Sequence, residues 1–246
     1  MTLNIDESRM KRELIIIYKV LYISSLQGNL MITTIIFDMD GVLVDTMKLH
    51  YTAWKKLLEE KGFKGFNKKI YLSFAGMKTV EILQMFKKKH NLKINPEQDA
   101  KRKEELVNFS KMALFSGVKP TLKELRKSGF KIGIATSASH HIMKRNLSLF
   151  GISAYFDSFT TANDVVHSKP NPQIYLLSAK KLNSSPKECV VIEDAVNGVI
   201  AAKKAGMKCM GITNTFPKQT LKEAGADYVV ENVTELLTLL EKINKI

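Results

Sequence analysis

From about residue 31 onward, short apolar runs alternate with longer stretches whose apolar residues recur every three or four positions. The short runs at 32–37, 131–135, 156–160, 189–192, 208–212 and 228–230 predict β-strands. The stretches at 121–127, 140–150, 173–182 and 196–205 carry the helical period. Strands that alternate with helices predict a parallel sheet covered on both faces. Between the first and second strands the rhythm breaks. Residues 46–115 read as helix after helix with no strand, which predicts a helical insert.

The resulting fold class is α/β: a Rossmann-like parallel sheet core with an inserted helical cap domain. The expected division is an N-terminal extension at 1–30, a core at 31–45 and 116–246, and a cap at 46–115. In open sheets of this type ligands bind beyond the carboxyl ends of the strands. The residues at those ends therefore become the candidates for chemistry.

The first strand runs into Asp38-Met39-Asp40-Gly41. Two carboxylates two residues apart can point the same way as an extended chain ends. Asp38 is placed to attack phosphorus, and Asp40 to move a proton to or from the leaving or entering oxygen. Taken alone, this pair is equally a solvated acidic turn. The second strand ends at Thr136-Ser137, whose hydroxyls and amides could hold phosphoryl oxygens at a helix start. After the third strand comes Lys169, ahead of Pro170, which favours an extended conformation there. Asn171 and Pro172 then read as the cap and first position of a helix. The fourth strand ends in Glu193-Asp194. Four carboxylates around a phosphate would repel one another without cations. Lys169 supplies one and Mg²⁺, which prefers hard oxygen ligands, suits the rest.

The sequences DMDGVLVDT, IATS, SKPNP and VIEDAVNG, in that order, resemble the four signature motifs of the haloacid dehalogenase superfamily. They are most similar to the branch with a small helical cap, which contains β-phosphoglucomutase and many sugar-phosphate phosphatases. The resemblance runs from Met31 to the C-terminus. It implies Asp38 as nucleophile, Asp40 as acid and base, and Thr136 and Lys169 as phosphoryl binders. It also implies Mg²⁺ held by Asp38, the Asp40 carbonyl, Asp194 and Glu193. In the cap, His50 resembles a histidine near the substrate that the mutase and related phosphatases share, and Lys103 reads equally as a cap lysine of the mutase or as part of a solvated helix face. Where the mutase pattern has a phosphate-binding arginine shortly after a cap glycine, this chain has Gly76-Met77-Lys78. Lys78 is then the nearby candidate cation, but it lacks the bidentate grip of arginine. Trp54, at helical spacing from His50, reads as packing.

These residues predict a Mg²⁺-dependent phosphatase that hydrolyses a small phosphorylated metabolite, such as a sugar phosphate, through an aspartyl-phosphate. A sugar-phosphate mutase is the alternative within the same chemistry. A basic nucleic-acid-binding or regulatory protein is the alternative from another class.

Charge bears on that last alternative. Thirty-eight basic against 24 acidic residues give a net charge of +14, which favours anionic partners. Only five of the basic residues are arginines, and the lysines are scattered with no aromatic residues between them. Planar readout of phosphates and bases favours arginine, so the surface reads as a lysine-coated one. Cys189 and Cys209 lie in apolar runs without metal-ligand or disulfide spacing, as expected in a reducing compartment. In the first thirty residues, the apolar run from Leu14 to Ile23 is interrupted by Lys19 and is too short to span a bilayer. It reads as an added amphipathic helix or as the product of a start codon upstream of Met31. The expected location is cytoplasmic, with no membrane partner.

Overall fold

A computed structural model of the chain describes residues 31–244. The readings made for residues 1–30 lie outside these described residues.

Six parallel strands form the main sheet in the order β5-β4-β1-β6-β7-β8. They are β1 (Thr34–Phe37), β4 (Lys131–Ala135), β5 (Ser158–Thr160), β6 (Cys189–Glu193), β7 (Lys208–Ile212) and β8 (Tyr228–Val230). β1 lies at the centre, with Phe37 level with Ile134 of β4 and Ile192 of β6. The alternation of side chains along each strand divides the core in two. Ile35, Phe37, Ile132, Ile134, Val190 and Ile192 face one apolar cluster. Ile36, Ala135, Cys189, Val191 and Cys209 face the other. Both cysteines are buried and free.

Helices cover both faces. α5 (Val118–Lys127), α6 (His140–Phe150) and α10 (Leu236–Asn244) pack on the first cluster through Leu122, Leu125, Met143, Leu147 and Leu240. α7 (Gln173–Lys181), α8 (Val196–Lys204) and α9 (Lys218–Glu223) cover the second through Tyr175, Ala179, Val199, Ala202 and Leu221. Each side chain of this size that is fully buried contributes about 1.5–3 kcal/mol. Strands apolar on both faces therefore appear as unbroken apolar runs, and all six predicted runs fall within two residues of the observed strands at each end. β1 and β5 each begin two residues after the predicted start. α5 begins at Val118, before Pro120, because a first-turn position has no amide partner to lose. α7 begins after Pro172, one residue later than predicted, with Asn171 Oδ1 accepting from the Gln173 amide at 3.0 Å.

Four helices lie between the first and second strands of the sheet: α1 (Met47–Glu60), α2 (Lys68–Ser73), α3 (Thr79–His90) and α4 (Pro96–Glu105). Asn67 and Asn95 cap α2 and α4 by accepting the amides of Ile70 and Gln98. Trp54, Leu57, Phe66, Phe74, Leu83 and Phe86 form an apolar cluster of their own. Its rings meet mostly edge to face, as between Trp54 and Phe74 with centroids 5.4 Å apart. The prediction of no strand in this stretch is corrected. Ala113–Leu114 (β3) pairs antiparallel with Val44–Asp45 (β2), tying the two crossings between helices and sheet together. Two-residue strands carry no readable alternation.

Candidate active site

Asp38 follows the last residue of β1 and is 6% exposed. Its amide donates to the Ile192 carbonyl at 3.0 Å, which holds the chain in line with β6. Gly41 then turns with φ of +84°, and a Cβ there would lie 1.9 Å from Asp194 Oδ2. Only glycine permits both the turn and this approach. The carboxylates of β1 and β6 are thereby brought to one place.

Lys169 lies at the centre of the charged groups. Its Nζ donates to Asp38 Oδ1 at 2.5 Å, to Glu193 Oε1 at 2.7 Å and to the Ala135 carbonyl at 3.3 Å. The lysine is 1% exposed. Burial disfavours its charge, but the Asp38 and Glu193 carboxylates outweigh burial and raise its pKa. Burial pushes the Asp38 carboxyl up to about 7 against the pull of Lys169. Asp194 is driven well above the usual range by burial and by the charges of Glu193 and Asp38.

Glu193 has both oxygens engaged. Oε1 accepts from Lys169 and from the Tyr175 hydroxyl at 2.7 Å, and Oε2 accepts the amides of Asp194 and Ala195, each at 2.9 Å. A Cβ at position 198 would fall 1.7 Å from Oε1, so Gly198 makes room for the carboxylate. Its expected use as a metal ligand would displace one of these partners. The donor set that remains is Asp38, Asp194 and the Asp40 main-chain carbonyl. Among the described residues, no three carboxylates, imidazoles or thiols form a ready metal cage. That set suits Mg²⁺, which typically takes one or two carboxylates and completes its shell with water and phosphate oxygens. Asp38, Glu193 and Asp194 bring three carboxylates against the single charge of Lys169, so the site has room for another cation.

Asp40 stands apart from this cluster. Thr46 donates to its Oδ1 at 2.6 Å, and His50 Nε2 lies 3.5 Å from the same oxygen. On the other side of the ring, Lys103 Nζ lies 2.7 Å from His50 Nδ1. Lysine can only donate, so Nδ1 accepts and the neutral ring keeps its proton on Nε2, facing Asp40. Burial alone would raise the Asp40 carboxyl, but His50, Thr46 and Lys103 hold it below the usual range. Burial, with the charge of Lys103, lowers His50. Burial brings Lys103 down to about 8 against Asp40 and Glu104. The Lys103 ammonium also sits 5.6 Å from the centre of the Trp54 ring.

Asp38, Asp40, Thr136, Ser137, Glu193 and Asp194 line one cavity together with His50, Trp54 and Lys103. Thr136 is 1% exposed, and its Oγ1 accepts the Ala138 amide at 3.1 Å. Ser137 Oγ donates to the Gly76 carbonyl at 2.6 Å and so reaches the helical insert. Trp54, expected as packing alone, packs and also forms cavity wall.

The expectation for Lys78 is corrected. Its ammonium donates to the carbonyls of Val165 and Val166, at 2.5 and 3.3 Å, and it is not among the residues that line the cavity. At the N-cap of α3, the residue is directed towards the loop that leads to Lys169. The Glu81 carboxylate holds the same loop by accepting from the amide and the hydroxyl of Ser168. Asn197 Nδ2 adds a bond to the Ala75 carbonyl at 2.9 Å. Sequence reasoning did not single out Glu81, Tyr175, Asn197 or Thr215, which donates to Asp194. Thr46, on one helical face with His50 and Trp54, read as packing, and its bond to Asp40 was not foreseen.

The chain matches the haloacid dehalogenase-like hydrolase family over residues 35–212, more than half its length. It is 32% identical over 218 residues to a phosphorylated carbohydrates phosphatase of Thermotoga maritima, covering 85% of this chain and 98% of that protein. It is 31% identical over 210 residues to pyrophosphatase PpaX of Bacillus velezensis, covering 84% and 95%. The fold is similar to that of β-phosphoglucomutase from Clostridium difficile, with TM-score 0.76, 30% identity and coverage of 87% and 98%. Motifs, fold and relatives agree: the chain belongs to the haloacid dehalogenase-like hydrolases and is a phosphatase of that family.

Proposed function

We propose that the chain is a Mg²⁺-dependent phosphoric monoester hydrolase that forms an aspartyl-phosphate on Asp38, with residues 46–115 acting as its cap. The observation that carries this reading is the convergence of Asp38, Asp40, Thr136 and Asp194 on one cavity. An Asp38 oxygen attacks phosphorus, the bond from phosphorus to the alcohol oxygen breaks, and that oxygen takes a proton from Asp40. Water then attacks the acyl phosphate, Asp40 takes its proton, and phosphate leaves Asp38 free again. Thr46 fixes Oδ1 of Asp40, which leaves Oδ2 to carry the proton. Thr136 and Ser137 meet the phosphoryl oxygens, and Lys169, bonded to Asp38, offsets their charge. Mg²⁺ bound by Asp38, Asp194 and the Asp40 carbonyl would offset the charge of the phosphoryl group.

Hydrolysis is favoured over transfer between two positions of a bisphosphorylated sugar. The latter needs a second anion anchor, and no arginine lines the cavity. Lys78, the expected substitute, is bonded elsewhere. Incubation with Mg²⁺ and a panel of phosphorylated metabolites tests the reading. Stoichiometric release of inorganic phosphate is expected. An isomerised sugar phosphate without release would replace the hydrolase by the mutase.

A further inference from the structure

The cavity wall opposite the carboxylates points to a leaving group of a particular kind. The free space of the cavity is about 110 Å³. Sites that take drug-sized ligands run from roughly 300 to 1,000 Å³. The cap is seated on the core by the Ser137, Lys78, Glu81 and Asn197 contacts, so this is the space left with cap and core in contact.

The wall itself is mostly carbon. Trp54, Phe74, Met77 and Ile82 present it, and Trp54, Phe74 and Ile82 are nearly inaccessible to solvent. Tyr71 also lines the space, but its hydroxyl donates to the Met47 carbonyl at 3.1 Å. His50 and Lys103 are bonded to each other, which leaves the Thr79 hydroxyl as the other polar side chain of the cap on this wall. The Ala75 and Gly76 carbonyls already accept from Asn197 and Ser137. A hexose brings several hydroxyls, each of which loses water on entry and needs a partner. A pyrophosphate brings a second dianion, for which the cap side offers only the Lys103 ammonium.

We infer that the substrate is a monophosphate ester of a short alcohol, about two to four carbons long, with a largely hydrocarbon body and at most one further polar group, directed at Lys103 or the Thr79 hydroxyl. The inference rests on the phosphatase reading and narrows it. Trp54 and Met77 are the residues that set the size limit.

The test compares kcat/KM, with Mg²⁺ present, for propyl phosphate and 2-phosphoglycolate against glucose 6-phosphate, fructose 1-phosphate and pyrophosphate. At least one short ester is expected to exceed every member of the second group by about tenfold or more. Met77→Ala and Trp54→Ala, each checked for native circular dichroism, are expected to shrink that ratio at least about threefold by opening the wall. Met77 is the more exposed of the two, so its variant guards against a Trp54→Ala protein that does not fold. Preference for a hexose phosphate or for pyrophosphate would overturn the inference and leave the phosphatase reading standing. An unchanged ratio in folded variants would also overturn it, because the wall would not be selecting. No phosphate release from any compound would remove both.

Discussion

The two walls of the cavity are built on different principles. On the core side, Lys169 and Tyr175 both donate to Glu193, and the Asp194 and Ala195 amides complete the set. That is a buried polar network with its partners satisfied, which fixes geometry at the cost of desolvation. On the cap side, one chain of contacts from Thr46 and Asp40 through His50 to Lys103 crosses a wall of aromatic and aliphatic carbon. The core wall can hold charge in place, and the cap wall can select by shape. Chemistry that is common to a family fits the first arrangement, and discrimination between substrates fits the second.

Breaking the core wall should have the largest effect. Asp38→Asn keeps the shape but removes the nucleophile, and kcat should fall by on the order of 10⁴ or more while circular dichroism stays native. Most of the activity surviving in a folded variant would refute the assignment of Asp38. Chelation comes next. EDTA should reduce turnover to background, Mg²⁺ should restore it, and Ca²⁺ should restore little because its longer, looser contacts misplace the carboxylate. Turnover that persists after exhaustive chelation would show that Lys169 alone offsets the charge.

The cap wall should respond to pH. If the Lys103 ammonium faces the leaving group, kcat/KM should decline as pH rises through about 8, where burial places its titration. Lys103→Met should lack that limb. Unfolding driven by Lys103 cannot produce the decline. The unfolded lysine holds its proton to about 10.4, so between about 8 and that value the unfolded state binds more protons. Stability from this group therefore rises with pH across the window, and thermal melts at pH 8 and 9.5 check the sign. The smallest effect is expected for Lys78→Ala. It removes a seat between cap and core, so kcat/KM should fall less than about tenfold, and equally for all substrates. A loss confined to some substrates would return Lys78 to the cavity.

Much of the core was legible because its logic is local. A parallel sheet buried on both faces writes each strand as an apolar run, and the chemical residues follow those runs directly: Asp38 after β1, Thr136 after β4, Glu193 at the end of β6. Parallel pairing of β1 with β4 and β6 brings those ends together without further information. The roles of single residues within the cluster were less legible. Glu193 and Asp194 are neighbours in sequence, yet one is enclosed by Tyr175 and two amides while the other faces Gly41 and Thr215.

By itself, the sequence determined the layered α/β core, the insertion point of the helices, and the set of carboxylates, hydroxyls and lysine at the strand ends. Tertiary structure decided how the cap meets them. His50 on α1 and Lys103 on α4 stand 53 positions apart, and their contact depends on how two helices pack. Lys78 and Val165 are 87 positions apart, and the pairing turned a candidate substrate cation into a tie between cap and core. Hydrophobic periodicity reports which face of an element is buried. It carries no record of which distant polar group that burial will bring within hydrogen-bonding distance.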